Sequence, residues 1–180
     1  MNSDKQDALL SRIVVILSII FVITLACKGE IRVDPDAVKP ANLSGKNFRH
    51  TQLSGADFSS KTLVGTDFTG ADLSPGADFS SADLRGAIFS YALLEESIFV
   101  EADLTGAKLD HARLIDVDFT RAKLENVDLT EADLAGARLD YASLLGANMD
   151  DGMLELAKSY SCVILPDGSV HDPDGSCNTP

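Results

Sequence analysis

The side chains most able to do chemistry here are three histidines, three cysteines and a few paired acids. His50, His111 and His171 lie far apart, with His50 and His111 expected at corners of different faces and His171 in the tail; they have no metal-ligand spacing. Glu95 and Glu96 are adjacent acids, but general acid–base work needs a cleft to shift a pKa. The "DPDG" at residues 172–175 lacks the regular acidic spacing of a calcium loop. No Gly-rich phosphate loop or nucleophile elbow appears. The expectation is therefore no catalytic, cofactor or metal site, and no enzyme.

The cysteines say more about place than about catalysis. Cys27 ends the stretch "SRIVVILSIIFVITLAC", in which Arg12 precedes an apolar run from Ile13 to Ala26. A membrane-crossing helix needs about 20 apolar residues, so this run is short. A basic flank, an apolar middle and a small-residue end describe an export signal. Cys27 stands where a bacterial lipoprotein carries its lipid, although Thr24 occupies the place where such signals usually have Leu. Lipidation, ordinary cleavage and an uncleaved hydrophobic helix all stay open. Cys162 and Cys177 lie near the C-terminus, and either close a small loop in an oxidising compartment or remain two thiols. The chain is expected in a periplasm, a thylakoid lumen or on a cell surface, associated with a membrane.

Charge narrows the partners. The 180 residues carry 15 Lys and Arg against 28 Asp and Glu, a net charge of −13. Such a chain is a poor direct ligand for nucleic acid or anionic lipid. A protein partner or a second copy is the expectation.

The elements that must position any surface follow from a period of five. From Ala41 the centres run Leu43, Phe48, Leu53, Phe58, Leu63, Phe68 and Leu73, then resume after an extra Gly76 with Phe79 and continue to Leu154. Every centre is Leu, Phe or Met, and a small residue usually stands two positions earlier. Lys46 and Lys61 are the two exceptions. Five fits neither a helix at 3.6 nor a strand at 2. It fits a chain that turns a corner every five residues and stacks its coils like parallel strands.

The "A-D/N-L-x-x" rule resembles the pentapeptide repeat family. That resemblance implies an all-β fold, a right-handed quadrilateral β-helix, over two-thirds of the chain. The expected division is residues 1–26 as signal or anchor, 27–40 as linker, 41–156 as a β-helix of nearly six coils, and 157–180 as cap and tail. The "PDGS" phrases of the tail are similar to those following the repeats in many cyanobacterial members.

Four sides of five residues place residues 20 apart in register. The seven repeat Phe then fall into two columns on opposite sides. The outward slot just before each centre reads Asp103, Lys108, Arg113, Asp118, and one coil later Lys123, Asp128, Asp133, Arg138, each over its opposite charge. Exposed pairs of this kind contribute about 0.2–1 kcal/mol each, so burial of the centres makes the fold and the ladder helps set its register.

The resemblance also supplies a second function class. Some family members are acidic rods that mimic DNA and bind gyrase. Residues 41–156 hold 20 acids against 9 bases, which is compatible, but bases interrupt the later coils. The first reading is an exported interaction scaffold. Its candidate contact is the one coil whose outward slots are apolar, Ile88, Leu93 and Ile98, with Val100 beside Ile98. The alternative for these four is packing beneath the stems of Lys108 and Arg113.

Overall fold

The computed structural model describes residues 42–150, 152–173, 175 and 177. Its backbone is a ladder of single parallel bridges. Asn42 pairs with Thr62, Asn47 with Asp67 and Gln52 with Asp72, a step of 20 with four bridges in each interval. Each coil therefore has four sides. They are called here side 1 (centres Leu43 to Leu144), side 2 (Phe48 to Met149), side 3 (Leu53 to Leu154) and side 4 (Phe58 to Leu139). The step becomes 21 where Ser74, Pro75 and Gly76 make a three-residue corner, as in Asp57 with Asp78, and returns to 20 from Asp78 with Ile98.

The five-residue rule is a solution to the backbone's hydrogen-bond demand. Around Phe119, for example, the centre's N–H donates to the Arg138 carbonyl in the next coil at 2.7 Å, and the slot residue Asp118 donates to the Ser97 carbonyl in the previous one at 3.1 Å. Arg121 donates to Asp140 of the next coil, and Ala122 closes the turn onto Phe119. The remaining N–H, on Thr120, donates to Oδ1 of Asp118 at 2.9 Å. All five amides are thus satisfied, and the slot Asp or Asn supplies the fifth acceptor. The same bond recurs at Asn47, Asp57, Asp67, Asp78, Asp103, Asp128 and Asp133.

The corner two residues after each centre is left-handed whatever residue sits there. Glycines such as Gly70 take φ +61, yet Tyr91, Glu96, Glu101 and Arg121 take φ 60 as well. Gly70 is required twice over, because a Cβ there would lie 2.5 Å from Nδ1 of His50. Glu96 has no such neighbour and no side-chain ion pair or hydrogen bond among the described residues. Glu96→Gly is expected to stabilise the fold by about 1 kcal/mol, the left-handed penalty less the entropy of glycine. A urea titration reads this; an unchanged or lower midpoint counts against it.

Inside, every centre from Phe48 to Leu144 is buried. The Phe columns of sides 2 and 4 stack along the axis, Phe68 on Phe89 at 4.8 Å and Phe79 on Phe99 at 4.7 Å. They meet edge-on across it, Phe79 to Phe89 at 5.5 Å. The outermost centres depart from the expectation: Leu43, Met149 and Leu154 are only half-buried. A 3-10 helix over Met153–Leu156 turns Met153 into the core instead of Leu154.

The ladder also passes the expected boundary at residue 156. Arg138 pairs with Ser159 and Ser143 with Ile164, again stepping 21. The 3-10 helix absorbs the extra residue. Strand β1 (Val163–Ile164) then pairs antiparallel with β2 (Val170–His171), and Val163 is fully buried. Cys162 and Cys177 are joined by a disulfide.

Candidate interaction surface

The four expected contact residues lie where the period places them. Ile88, Leu93 and Ile98 occupy the slots of three successive sides, and Val100 follows Ile98 beyond Phe99 on side 4. Their exposure is unequal: Ile98 is 38% exposed, whereas Ile88, Leu93 and Val100 are half-buried. Ile88 lies between Asp67 and Lys108 in the ladder, Leu93 between Asp72 and Arg113, and Ile98 between Asp78 and Asp118. The belt therefore separates a coil whose slots are all acidic, Asp67, Asp72, Asp78 and Asp83, from one that holds Lys108 and Arg113.

An apolar slot gives up the fifth hydrogen bond. The N–H groups of Ser90, Glu95 and Val100 find no acceptor among the described residues, whereas most of their acidic neighbours' counterparts do. On side 3, the Arg113 guanidinium forms an ion pair with Glu95 at 3.1 Å. Asp133 does lie over Arg113 in the ladder, as expected, but the guanidinium pairs with Glu95 instead. Glu95, a corner-side neighbour, reaches the guanidinium, and Asp133 is engaged by the N–H of Ala135. Two of the expected pairs do meet, Lys123 with Asp103 and Arg138 with Asp118, each at 3.7 Å.

The slot carboxylates are tuned by the fold. The Ser59 hydroxyl lowers Asp57, Arg85 lowers Asp83, and the Thr130 hydroxyl lowers Asp128. Burial raises Asp67, but bonds from Thr69 and Arg49 outweigh it and bring it down. Their contribution to stability is present above the ordinary carboxylate range and fades as pH falls through the folded values.

The histidines are not on different faces. His50, Gly70, Tyr91, His111 and Glu131 form one corner column, because the residue inserted at Gly76 shifts the later count by one. Tyr91 stacks on His111 at 4.6 Å, and His111 Nδ1 lies 3.1 Å from Glu131. His171 packs against Tyr160 in the cap. Among the described residues, no group of three His, Cys, Asp or Glu is placed to hold a metal ion. Cys27 lies outside the described residues.

Sequence reasoning missed the most exposed apolar side chains. Leu156, Tyr91, Tyr141 and Leu145 are 60%, 59%, 57% and 48% exposed, all more than Ile98, and Ile164 and Val170 come just below it at 36% each. The signal was present in Leu145, which stands where most other pentapeptides put a polar residue. The tail residues left the period and gave no register.

A four-sided solenoid with a filled core and its variable chemistry outside is a repeat scaffold of the parallel β-helix class. Comparison with known sequences makes the class specific. The pentapeptide repeats model matches in eight copies, over residues 41–74, 77–114 and 118–151. The chain belongs to the pentapeptide repeat family, whose members fold as right-handed β-helices. No curated protein is significantly similar. Among solved structures, it is similar to HetL, a pentapeptide repeat protein involved in heterocyst differentiation regulation from the cyanobacterium Nostoc sp. strain PCC 7120. That match has 26% identity, covers 72% of this chain and 81% of HetL, and has a TM-score of 0.42. QnrB1, a plasmid-mediated fluoroquinolone resistance protein, is 23% identical over 70% of this chain and 71% of its own, with a TM-score of 0.35. A pentapeptide repeat protein from the Arabidopsis thaliana thylakoid lumen is 24% identical over 72% and 83%, at 0.22.

Proposed function

We propose that this chain is a non-enzymatic interaction scaffold, exported and held at a membrane by residues 1–26 or by a lipid on Cys27. Residues 27–40 link that segment to a β-helix of nearly six coils, and the C-terminal residues cap it. The site of action is a periplasm, a thylakoid lumen or a cell surface. The observation that carries this reading is the Cys162–Cys177 disulfide at the end of the solenoid. Such bonds persist in oxidising compartments. The signal-like run ending at Cys27 agrees with it. Cell fractionation tests it: the protein is expected with membranes or in an exported fraction, with Cys162 and Cys177 protected from alkylation until reduced. Recovery from the cytosol with free thiols overturns it.

The belt is the proposed face for a protein partner. Replacing Ile88, Leu93 and Ile98 together with Asp is expected to abolish capture of the membrane partner while the circular dichroism of the β-helix persists. Each new carboxylate offers the acceptor that Ser90, Glu95 and Val100 lack, which supports the fold. Unchanged capture assigns the belt to stability. The DNA-mimic alternative is disfavoured by Lys108, Arg113, Lys123 and Arg138, which interrupt every outward column. Inhibition or protection in a gyrase supercoiling assay would restore it.

A further inference from the structure

Side 1 carries a second apolar surface near the C-terminal end. Its row at Leu144 presents Tyr141, Ser143 and Leu145. One step on, Ile164 lies over Ser143, and Val170 of β2 pairs with Ile164. Tyr141, Leu145, Ile164 and Val170 are all exposed. One row back stand Arg121, Lys123 and Glu125. The Arg121 guanidinium lies 5.8 Å from the centre of the Tyr141 ring, and the carbonyl of Leu145 accepts from Asn126 beside Glu125. Beneath the Ile164 row the surface thus has two patterned rows: large, small, large above; basic, basic, acidic below.

We infer that this surface joins two copies of the chain side by side, related by a two-fold axis that runs along the rod in front of Ser143. Such a rotation keeps each row at its height and reverses it from left to right. Tyr141 then meets Leu145 of the second copy, and Leu145 meets Tyr141 of the second copy. Arg121 meets Glu125, and Glu125 meets Arg121. Ser143, the small residue of its row, sits on the axis and lets the backbones approach. A patch that complements itself twice is what an isologous contact requires. Lys123 faces its own copy, but each chain already holds its ammonium 3.7 Å from Asp103.

The rotation also fixes the sense. An axis across the rod would set the Arg121 row opposite the Ile164 row, so that Arg121 would keep only its own chain's Glu101, 3.6 Å away, and Glu125 would face apolar side chains. The parallel pairing sends both N-terminal ends the same way, which agrees with a shared membrane but does not rest on it.

Cross-linking of the full-length protein tests the arrangement. Under mild oxidation, Ser143→Cys is expected to give a covalent dimer above the wild-type background that Cys27 sets. Asn148→Cys, at the same height on side 2, is expected to give none. Adding Leu145→Glu is expected to cut the Ser143→Cys yield about tenfold, because a carboxylate would enter an apolar contact. Arg121→Glu is expected to cut it as well, and Arg121→Glu with Glu125→Arg to restore it. Circular dichroism confirms that each variant keeps its fold. The inference is overturned if Ser143→Cys cross-links no better than Asn148→Cys, if Leu145→Glu leaves the yield unchanged, or if the charge exchange fails to restore it.

Discussion

Replacing Phe89 with alanine is expected to destabilise the β-helix by about 3–5 kcal/mol, the range for a buried aromatic truncated to a methyl. Phe89 is fully buried and touches three other rings. It stacks on Phe68 at 4.8 Å and meets Phe79 and Phe99 edge-on at 5.5 and 5.8 Å. The site collapses poorly because the walls are not free to close. Each side is pinned to the coils on either side by backbone bonds, such as Phe89 to Lys108 at 2.7 Å. The cost is therefore expected near the top of that range, with Phe89→Leu costing much less because the other two sides already use Leu at this depth. Since each coil contacts only its neighbours, the loss is expected to open the solenoid locally before it unfolds the ends. Urea unfolding measures the cost, and hydrogen exchange at the Phe68 and Leu109 amides locates it. A loss below about 1 kcal/mol would mean that the coils repack and that the ring stack is not the core's main contact.

Much of this architecture was legible in the period. Two Phe columns on opposite sides, the step of 21 across Gly76 and the register of the charged slots all follow from counting by five. What counting could not show was why the slot is so often Asp. The slot carboxylate accepts the N–H two residues on, at Asp57, Asp67, Asp103 and Asp128 among others, so acidity is part of how the backbone is satisfied. A negative surface thus arises from hydrogen bonding alone, and the composition that invited comparison with DNA needs no nucleic-acid-like purpose. Counting also failed where the period broke. The histidine column was misplaced by the single inserted residue. The cap was unreadable because a 3-10 turn, not a sixth residue in a loop, absorbed the next insertion. Leu145, Ile164 and Val170 become one surface only once that turn restores the ladder at Ile164. The belt had the opposite fate: three apolar slots stand out in the sequence, yet neighbouring rows leave only Ile98 well exposed.

Removing the Cys162–Cys177 bond is expected to cost about 3 kcal/mol, the loop-closure entropy of a cross-link spanning 15 residues. The cost falls on the cap. The bond ties the residue before β1 to the chain beyond β2, and β1 is what covers side 1. The Leu139 and Leu144 amides donate to the carbonyls of Ser159 and Ile164, each at 2.8 Å, so the last complete coil is closed only while that chain stays down. Without the bond, only two short paired strands and the burial of Val163 hold the hairpin, and a hairpin of this size is marginal on its own. Fraying is then expected to run inward by about one coil and stop at the stacked rings. In the Cys162→Ser, Cys177→Ser protein, hydrogen exchange is expected to speed up at Leu139 and Leu144 and stay slow at Leu109, whose amide is bonded to Asp128 at 2.7 Å. Reductant should bring the wild type to the same profile and leave the double variant unaffected. Equal protection at Leu144 in both proteins would show that the cap holds by packing alone. The disulfide would then mark only the compartment in which the chain folds.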